Sequence, residues 1–501
     1  VNTLHLPWLE ISVLLPFLGA IACHFAQRPG RARTTAILFS SLTLMVTVGA
    51  WLDFYTLSAT AAHDSWDLID SVTGIDFLVI DELSAPLVPM TALIYLVTLM
   101  TTQRTKAQRF SFTWTMVSLS IALATFSCRL PWGVISLLAV STVLPYLELR
   151  RRDKPVGVYV VHMFAFVAMM VVGQAIVDYE GNVAAHSVAA VLPLMGAVLI
   201  RSGVIPTHCW MTDLFEHATL GTAILYLTPM AGAYAALRLV LPIAPDWMLR
   251  SIAVISLATA IYAVGMALVQ TDTRRFFCYL MLSQSSLVLV GLEMSTPMAL
   301  TGALCVWLSI GLAMTGFGLL IRSLEARTGR LNLTDYHGLF EHVPGFAGFF
   351  LATGLASVGF PGTIGFVSLE LLIEGTSRQG SIIATIVVLT SALCGIAVMH
   401  AYFRIFTGKR HRTSISMKSL TSERIAFLSL IGLIIGGGIV PQPGVATRYH
   451  AAVELFQNRN GALQDPGSKS EASTDTHDLH PSTPRTTTPI TIATNVPYES
   501  R

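Results

Sequence analysis

The sequence predicts an all-α, polytopic membrane protein of roughly fourteen transmembrane helices, arranged as two inverted repeats with two discontinuous helices. Three observations carry that class. Of 501 residues, 53% are hydrophobic and 12% charged, against about 25% charged in ordinary soluble domains. Apolar runs of about 20 residues, the length at which a helix crosses a bilayer, recur along the chain. Two of those runs are interrupted by proline among glycines or polar groups.

The runs lie near 8–26, 34–57, 83–102, 109–128, 130–149, 156–177, 187–206, 218–240, 248–269, 276–294, 299–321, 344–366, 380–406 and 423–441. They divide into three N-terminal helices (1–107), a first repeat (108–240), and a second repeat with the C-terminal helices (241–442). A polar tail follows (443–501). Its Ser, Thr, Pro and Asp content from about Gln457 onward cannot bury a core, so disorder is expected, with His477 and His480 as solvated linker rather than metal ligands. Charge in the loops sets the orientation. Arg28, Arg31 and Arg33 follow the first run; Arg104, Lys106 and Arg109 the third; Arg150, Arg151, Arg152 and Lys154 the fifth; Arg274 and Arg275 the ninth. Arg322, Arg327 and Arg330 follow the eleventh, and Lys409, Arg410, Arg412 and Lys418 the thirteenth. Intervening loops carry Asp64, Asp67, Asp70, Asp76, Asp178, Glu180 and Asp246. Odd-numbered exits therefore face the cytoplasm by the positive-inside rule, and both termini face the periplasm of a bacterial inner membrane. The acidic, histidine-bearing seventh exit is the exception.

Some functions are excluded or unsupported. A net charge of +2 gives no footing for nucleic acid. Cys23, Cys128, Cys209, Cys278, Cys305 and Cys394 are scattered through apolar stretches without a CxxC pair, so no metal site or disulfide framework is expected. No flavin, haem, nucleotide or iron–sulfur motif is visible, so no cofactor is expected in this chain. No basic leader with a small-residue cleavage site is read at the start, so no removable signal peptide is expected.

The chemistry is sought among ionisable groups at membrane depth, each costing about 2.5–3.5 kcal/mol on insertion scales. LIRSGVIPTHCWMTDLFEH, Leu199 to His217, places Arg201, His208, Asp213, Glu216 and His217 around Pro206. Proline removes a backbone hydrogen bond, so the helix should break there. A second break is expected at Pro361 within LASVGFPGTIGF, followed by Glu370 and Glu374 at i,i+4 spacing. One interrupted span in each half points to an inverted-repeat transporter with its ion path at the breaks. Ordinary proline kinks are the alternative reading for either one alone.

These residues carry a resemblance. The chain resembles the antiporter-like membrane subunits of respiratory complex I, a superfamily shared with multisubunit cation/proton antiporters, membrane-bound hydrogenases and DAB-type inorganic-carbon transporters. A pattern similar to K-S-x-x-x-P-x-H-x-W-L-P-D stands as Arg201, Ser202, Pro206, His208, Trp210 and Asp213. Asp272, Arg274, Arg275, Tyr279, Ser283 and Gln284 match a second block, and Asp81 to Ser84 a third. Gly329, Arg330, Asp335, Gly338 and Leu339 lead into the second break. The blocks run in family order over about residues 75–410.

The resemblance implies a central hydrophilic axis and serial proton transfer, with a proton path or coupling role for Arg201, His208, Asp213, Glu216, Arg274, Arg275 and Glu370. The sequence departs from that axis. The fifth-span glutamate position falls near Val140; eighth-span positions fall on Tyr226 and Met230, and eleventh-span ones on Ile310 and Met314. Glu370 stands one residue past the family position, about 100° around a helix. The family lysine is Arg201. Lysine can lose a proton in an apolar site, whereas arginine stays charged, so Arg201 is read as a fixed positive charge or gate, with a structural ion pair or direct transfer as alternatives. Glu216, Asp213 and Glu148 are its candidate partners. His208 is read either as a titrating group or as a capping residue.

LELRRRDKPVG, Leu147 to Gly157, and the missing fifth-span glutamate resemble the DAB-type subunits. The expected function is therefore the proton-translocating, energy-coupling subunit of an inorganic-carbon uptake complex, with a large cytoplasmic zinc partner resembling a carbonic anhydrase. The alternatives are a proton-pumping subunit of an NADH-quinone oxidoreductase or hydrogenase complex, and a non-conducting scaffold.

Overall fold

A computed structural model describes residues 3–464 apart from 27, 58, 67–73, 75–76, 104–109, 182, 184–185, 293–295, 378–379 and 409–418. Each apolar run contains helix. The first half comprises α1 (Trp8–Phe25), α2 (Pro29–Leu57), α3 (Leu87–Thr101), α4 (Phe112–Phe126), α5 (Pro131–Arg151), α6 (Gly157–Glu180), α7 (Val188–Arg201), α8 (Cys209–His217), α9 (Leu220–Leu227) and α10 (Ala231–Ala235), which runs on through a π-helical turn, Ala236–Val240. The second half comprises α11 (Asp246–Val269), α12 (Thr273–Leu292), α13 (Pro297–Thr328), α14 (Pro344–Ser357), α15 (Ile364–Ser377), α16 (Ser381–Phe406), α17 (Thr421–Ile439) and α18 (Gln442–Gln464). Ten helices among the described residues are long and apolar enough to cross a membrane, counting Leu220–Val240 as one; α3, α4, α7 and α14 are shorter apolar helices. The sequence reading missed a small antiparallel hairpin, β1 (Ala61–His63) with β2 (Val79–Asp81), in which Ala62 lies opposite Ile80.

Burial sorts the helices into a pillar and a shell. About nine-tenths of the apolar stretches of α12 and α13 are buried (94% and 89%), whereas α2, α6 and α17 bury 28% of theirs. The shell helices turn Leu38, Met45, Val161, Phe164 and Leu428 outward. Such apolar exteriors suit hydrocarbon rather than water. With no hydrophobic drive between helices in lipid, close packing falls to small residues. A Cβ on Gly302 would lie 2.5 Å from the Leu372 backbone, and one on Gly375 2.4 Å from that of Ala299, so α13 and α15 touch at both glycines.

Polar contacts divide the loops between two faces. Arg33 donates to the Thr102 carbonyl (2.7 Å) and the Met100 carbonyl (2.8 Å), and lies near Ser422 (3.4 Å). Arg322 donates to the Thr98 carbonyl (3.2 Å), Arg274 to the Ala218 carbonyl (3.3 Å) and to Glu325 (2.9 Å), and the Thr219 amide to Glu148 (2.7 Å). With the Arg327–Glu423 pair (2.6 Å), these bonds join all seven odd-numbered exits on one face. Some of the arginines assigned to loops are not in loops. Arg322 and Arg327 lie inside α13, which extends to Thr328, seven residues past the expected run. Of the other basic loop residues, Arg104, Lys106, Arg109, Lys409, Arg410, Arg412 and Lys418 lie outside the described residues, as do Asp67, Asp70 and Asp76.

The opposite face holds the other ends. His5 bonds Asp53, Leu4 bonds the His63 carbonyl (2.8 Å), and buried Asp81 of β2 pairs with Arg238 (2.7 Å) and Arg129 (3.6 Å). The tail expected from residue 443 is corrected here over its first 22 residues. Gln442–Gln464 is helical and lies on this face, with Arg448 buried and donating to the carbonyls of Leu83 (3.0 Å) and Glu82, and Arg459 pairing with Asp246 (2.5 Å). Two arginines anchored to loop carbonyls and an aspartate hold a helix whose own apolar content is too low to announce it. Residues 465–501, including His477 and His480, lie outside the described residues.

That helix carries a pH-sensitive group. Burial pushes the Glu454 carboxyl up to about 7, with Asp81 and Glu82 adding to the rise and Arg129 and Arg238 opposing it. A folded value above the ordinary one near ~4.3 stabilises the protonated form. The contribution is thus complete in acid and is lost as pH climbs through about 7. The unfolding temperature should fall between about pH 4 and about pH 7, and Glu454→Gln should remove that part of the fall.

Candidate functional site

The seventh span is interrupted where expected. Helix α7 stops at Arg201, Gly203 takes a positive φ of 69°, and α8 begins only at Cys209. The twelfth span behaves alike, with α14 ending at Ser357, Gly359 and Gly362 at φ of 82° and 84°, and α15 starting at Ile364. A third interruption escaped the sequence reading. After Pro229, Met230 adopts a left-handed backbone (φ 55°) and divides α9 from α10. Neither methionine nor its flanks advertise that conformation, although a proline before it was a signal.

Arg201 sits at the first of these breaks, beside the third, and is 3% exposed. Its guanidinium donates to the Tyr226 carbonyl (3.1 Å), lies 4.0 Å from the Tyr226 ring centre and 5.8 Å from the Trp210 ring centre. Cation–π contacts of this desolvated kind contribute about 2 kcal/mol. None of its three candidate partners reaches it. Glu216 bonds Arg275; Asp213 bonds His217 (3.1 Å); Glu148 accepts from the Thr219 amide and the Thr222 hydroxyl and lies 3.4 Å from Arg152. The expected pairing of Arg201 with one of them is therefore corrected. Each carboxylate is held by a group nearer its own helix end, and Glu148 in particular serves the start of α9, where exposed amides favour a negative charge.

The other predicted residues fall into three places. His208 precedes α8 with its ring 5.4 Å from Tyr262 and 6.3 Å from Tyr279, and its Nδ1 is buried without a partner. Asp213, one turn on, holds one carboxylate oxygen buried without a donor. Glu216, Arg274 and Arg275 meet on the odd-exit face: Arg274 grips Glu325 through Nε (2.9 and 3.0 Å) and a terminal nitrogen (2.8 Å), and Arg275 grips Glu216. Glu370 is remote from all of them, exposed on the outer side of α15. The positions that depart from the family axis follow suit, with Val140 half exposed while Ile310 and Met314 are fully buried.

A cavity of about 610 Å³ runs in from the odd-exit face as far as Tyr226. Arg151, Arg152 and Lys154 stand at its charged end, Glu148 and Thr222 on its wall, and the Tyr226 ring separates it from Arg201. The sequence reading named the basic loop but had no means of seeing that α4, α5 and α9 enclose a chamber beneath it. It named Arg322 only as a loop charge, whereas the side chain lies over the Phe110 ring at 4.7 Å, and it missed Glu325 and Glu423, whose arginine partners lie far away in sequence. No group of three or more His, Cys, Asp or Glu among the described residues could hold a metal ion.

Taken together, a helical membrane bundle with three interrupted spans and a buried arginine at the first break has the build of an ion-pathway type of membrane subunit. Comparison with known proteins gives the family. Residues 158–394 match the transmembrane domain of the NADH:quinone oxidoreductase/Mrp antiporter family. The chain is 28% identical over 261 residues to NADH-quinone oxidoreductase subunit M of Mycobacterium tuberculosis, covering 51% of this chain and 47% of that one. It is 24% identical over 513 residues to NAD(P)H-quinone oxidoreductase chain 4 of a Synechococcus, covering 93% and 92%. In fold it is similar to a chain of respiratory complex I from Thermus thermophilus with bound NADH (TM-score 0.77, 20% identity, 91% of this chain and 100% of that one). A chain of the Mrp complex from Dietzia sp. is similar too (TM-score 0.78, 17% identity, 91% and 99%). These matches support a place for the chain in the antiporter-like membrane-subunit superfamily. The sequence match spans about half the length of the Mycobacterium relative.

Proposed function

We propose that the chain is the proton-translocating membrane subunit of a multisubunit bacterial complex in the inner membrane, with its odd-numbered exits and the 610 Å³ cavity facing the cytoplasm and both ends of the chain facing the periplasm. The observation that carries this reading is the buried Arg201 at a helix break, set behind Tyr226, which lines a chamber that Glu148 and Thr222 also wall. Arginine does not release its proton under ordinary conditions. Arg201 therefore acts as a fixed positive gate that opposes free cation passage, as arginines and positive helix ends do in selective pores, while His208 and Asp213, each with an unpartnered buried atom, exchange protons on the far side of the same break. Arg274, Arg275 and Glu216 link the break to the cytoplasmic end of α13. This chain needs no cofactor for that role.

At finer grain we read it as the energy-coupling subunit of an inorganic-carbon uptake complex whose partner is a large cytoplasmic zinc protein resembling a carbonic anhydrase. What supports this is the loss of the fifth-span glutamate together with the Arg151, Arg152 and Lys154 rim. The relatives named NADH-quinone oxidoreductase favour a second reading, a pumping subunit of a respiratory or hydrogenase complex. Purifying the native complex through a tag on the C-terminal tail, with mass spectrometry and metal analysis, separates the two. A stoichiometric zinc-bearing soluble partner is expected; flavin- or nickel-bearing redox subunits would establish the respiratory reading instead.

A further inference from the structure

Arg201 poses a charge problem that the neighbouring side chains leave open. Among the described residues it forms no ion pair, and the three carboxylates nearest in sequence logic are committed elsewhere. Its Nε is buried without an acceptor. An ionised group removed from water without a counter-charge costs several kcal/mol, and arginine cannot escape by deprotonating as a lysine would.

Beside Arg201 lies a small cavity lined by Arg201, Ser202, Met211, Met230, Met281 and Ser285, among others. It leaves about 20 Å³ for the centre of a water-sized particle, where one water needs ~10–15 Å³. Gly232 helps to keep it open, since a Cβ there would stand 2.7 Å from the Ser202 hydroxyl. A water could occupy this space but would bring no charge.

We propose that the cavity holds one halide-sized monovalent anion, chloride under cellular conditions, which accepts hydrogen bonds from Arg201 Nε–H and the Ser202 hydroxyl and offsets the guanidinium charge while bound, so that the gate carries its full charge only when the anion has left. The room admits a single atom, which excludes bicarbonate and phosphate. Met211, Met230 and Met281 give the rest of the cavity apolar walls, so Arg201 and Ser202 are the charged and polar groups that would hold the ion, with Ser285 beside them. The basic rim of the cytoplasmic chamber attracts anions to Tyr226, whose ring is the wall between that chamber and Arg201. This exchangeable counter-ion stands where a carboxylate partner for the arginine would otherwise be needed.

The test uses the full chain purified in detergent and sodium gluconate, with bromide, chloride or bicarbonate added at constant ionic strength. Bromide and chloride should raise the unfolding temperature saturably, bicarbonate should not, and Arg201→Met should lose the saturable rise. In wild-type crystals grown with bromide, an anomalous peak should lie within about 3.5 Å of Arg201 Nε. That map needs no variant to fold. An empty map, a halide response that survives in Arg201→Met, or bicarbonate acting as well as chloride would overturn the site. All these readouts are binding measurements, so the anion site and the proton-gate reading can fail separately.

Discussion

Replacing Arg201 with methionine is expected to raise the passive proton permeability of proteoliposomes by about 100-fold in chloride-free medium while abolishing coupled transport. A unit charge about 6 Å from the path, at an effective dielectric constant of ~20, opposes a cation by about 3 kcal/mol, which corresponds to that factor. Methionine keeps apolar bulk against Tyr226 and Trp210, so what is lost is the charge and its bond to the Tyr226 carbonyl. The measurement is the decay of an imposed pH gradient with the assembled complex in the membrane. A variant as tight as the wild type would remove Arg201 from the path.

The second large effect is structural. Glu423→Gln should destabilise the chain by about 3–5 kcal/mol, because the Arg327 guanidinium then stays buried without its counter-charge. The pair is bidentate, Nη1 to Oε1 at 3.0 Å and Nη2 to Oε2 at 2.6 Å, and the two side chains are 5% and 0% exposed. Glu423 also accepts from the Leu420 amide (2.8 Å), a cap that the glutamine carbonyl can still supply, so the variant loses chiefly the charged tie between α17 and α13. Thermal unfolding in detergent should show the loss, and Arg327→Met with Glu423→Leu together should recover much of it, since an apolar pair leaves no orphaned charge. Equal losses in the single and double variants would mean that charge burial is not the cause.

What could be read in advance follows from physical range. Apolar runs, basic exits and the breaks at Pro206 and Pro361 are local properties, and helices stand at each of those runs with gaps at both prolines. Partner identity is not local. Glu216 meets Arg275 across 59 positions, Glu423 meets Arg327 across 96, and Arg448 reaches Leu83 across 365. Sequence proximity instead suggested Glu216 or Asp213 for Arg201, and both are held by other groups. The i,i+4 spacing of Glu370 and Glu374 fixed a helix face but not its direction, and Glu370 faces outward on α15. Helix α18 was missed for a related reason: it docks through Arg448 and Arg459 onto carbonyls and Asp246, contacts that leave no periodic apolar trace. The Met230 break was hidden because a left-handed methionine is held by its surroundings, not chosen by its own preference.

One substitution tests most directly whether charge at position 201 is the gate. Arg201→Lys keeps a positive group that burial makes easier to deprotonate. Proton leak should therefore match the wild type at about pH 6 and climb towards the Arg201→Met level by about pH 9, while the wild type stays flat. A lysine variant whose leak is independent of pH and equal to that of the wild type, beside a leaky methionine variant, would show that side-chain shape sets the barrier, and would contradict the account.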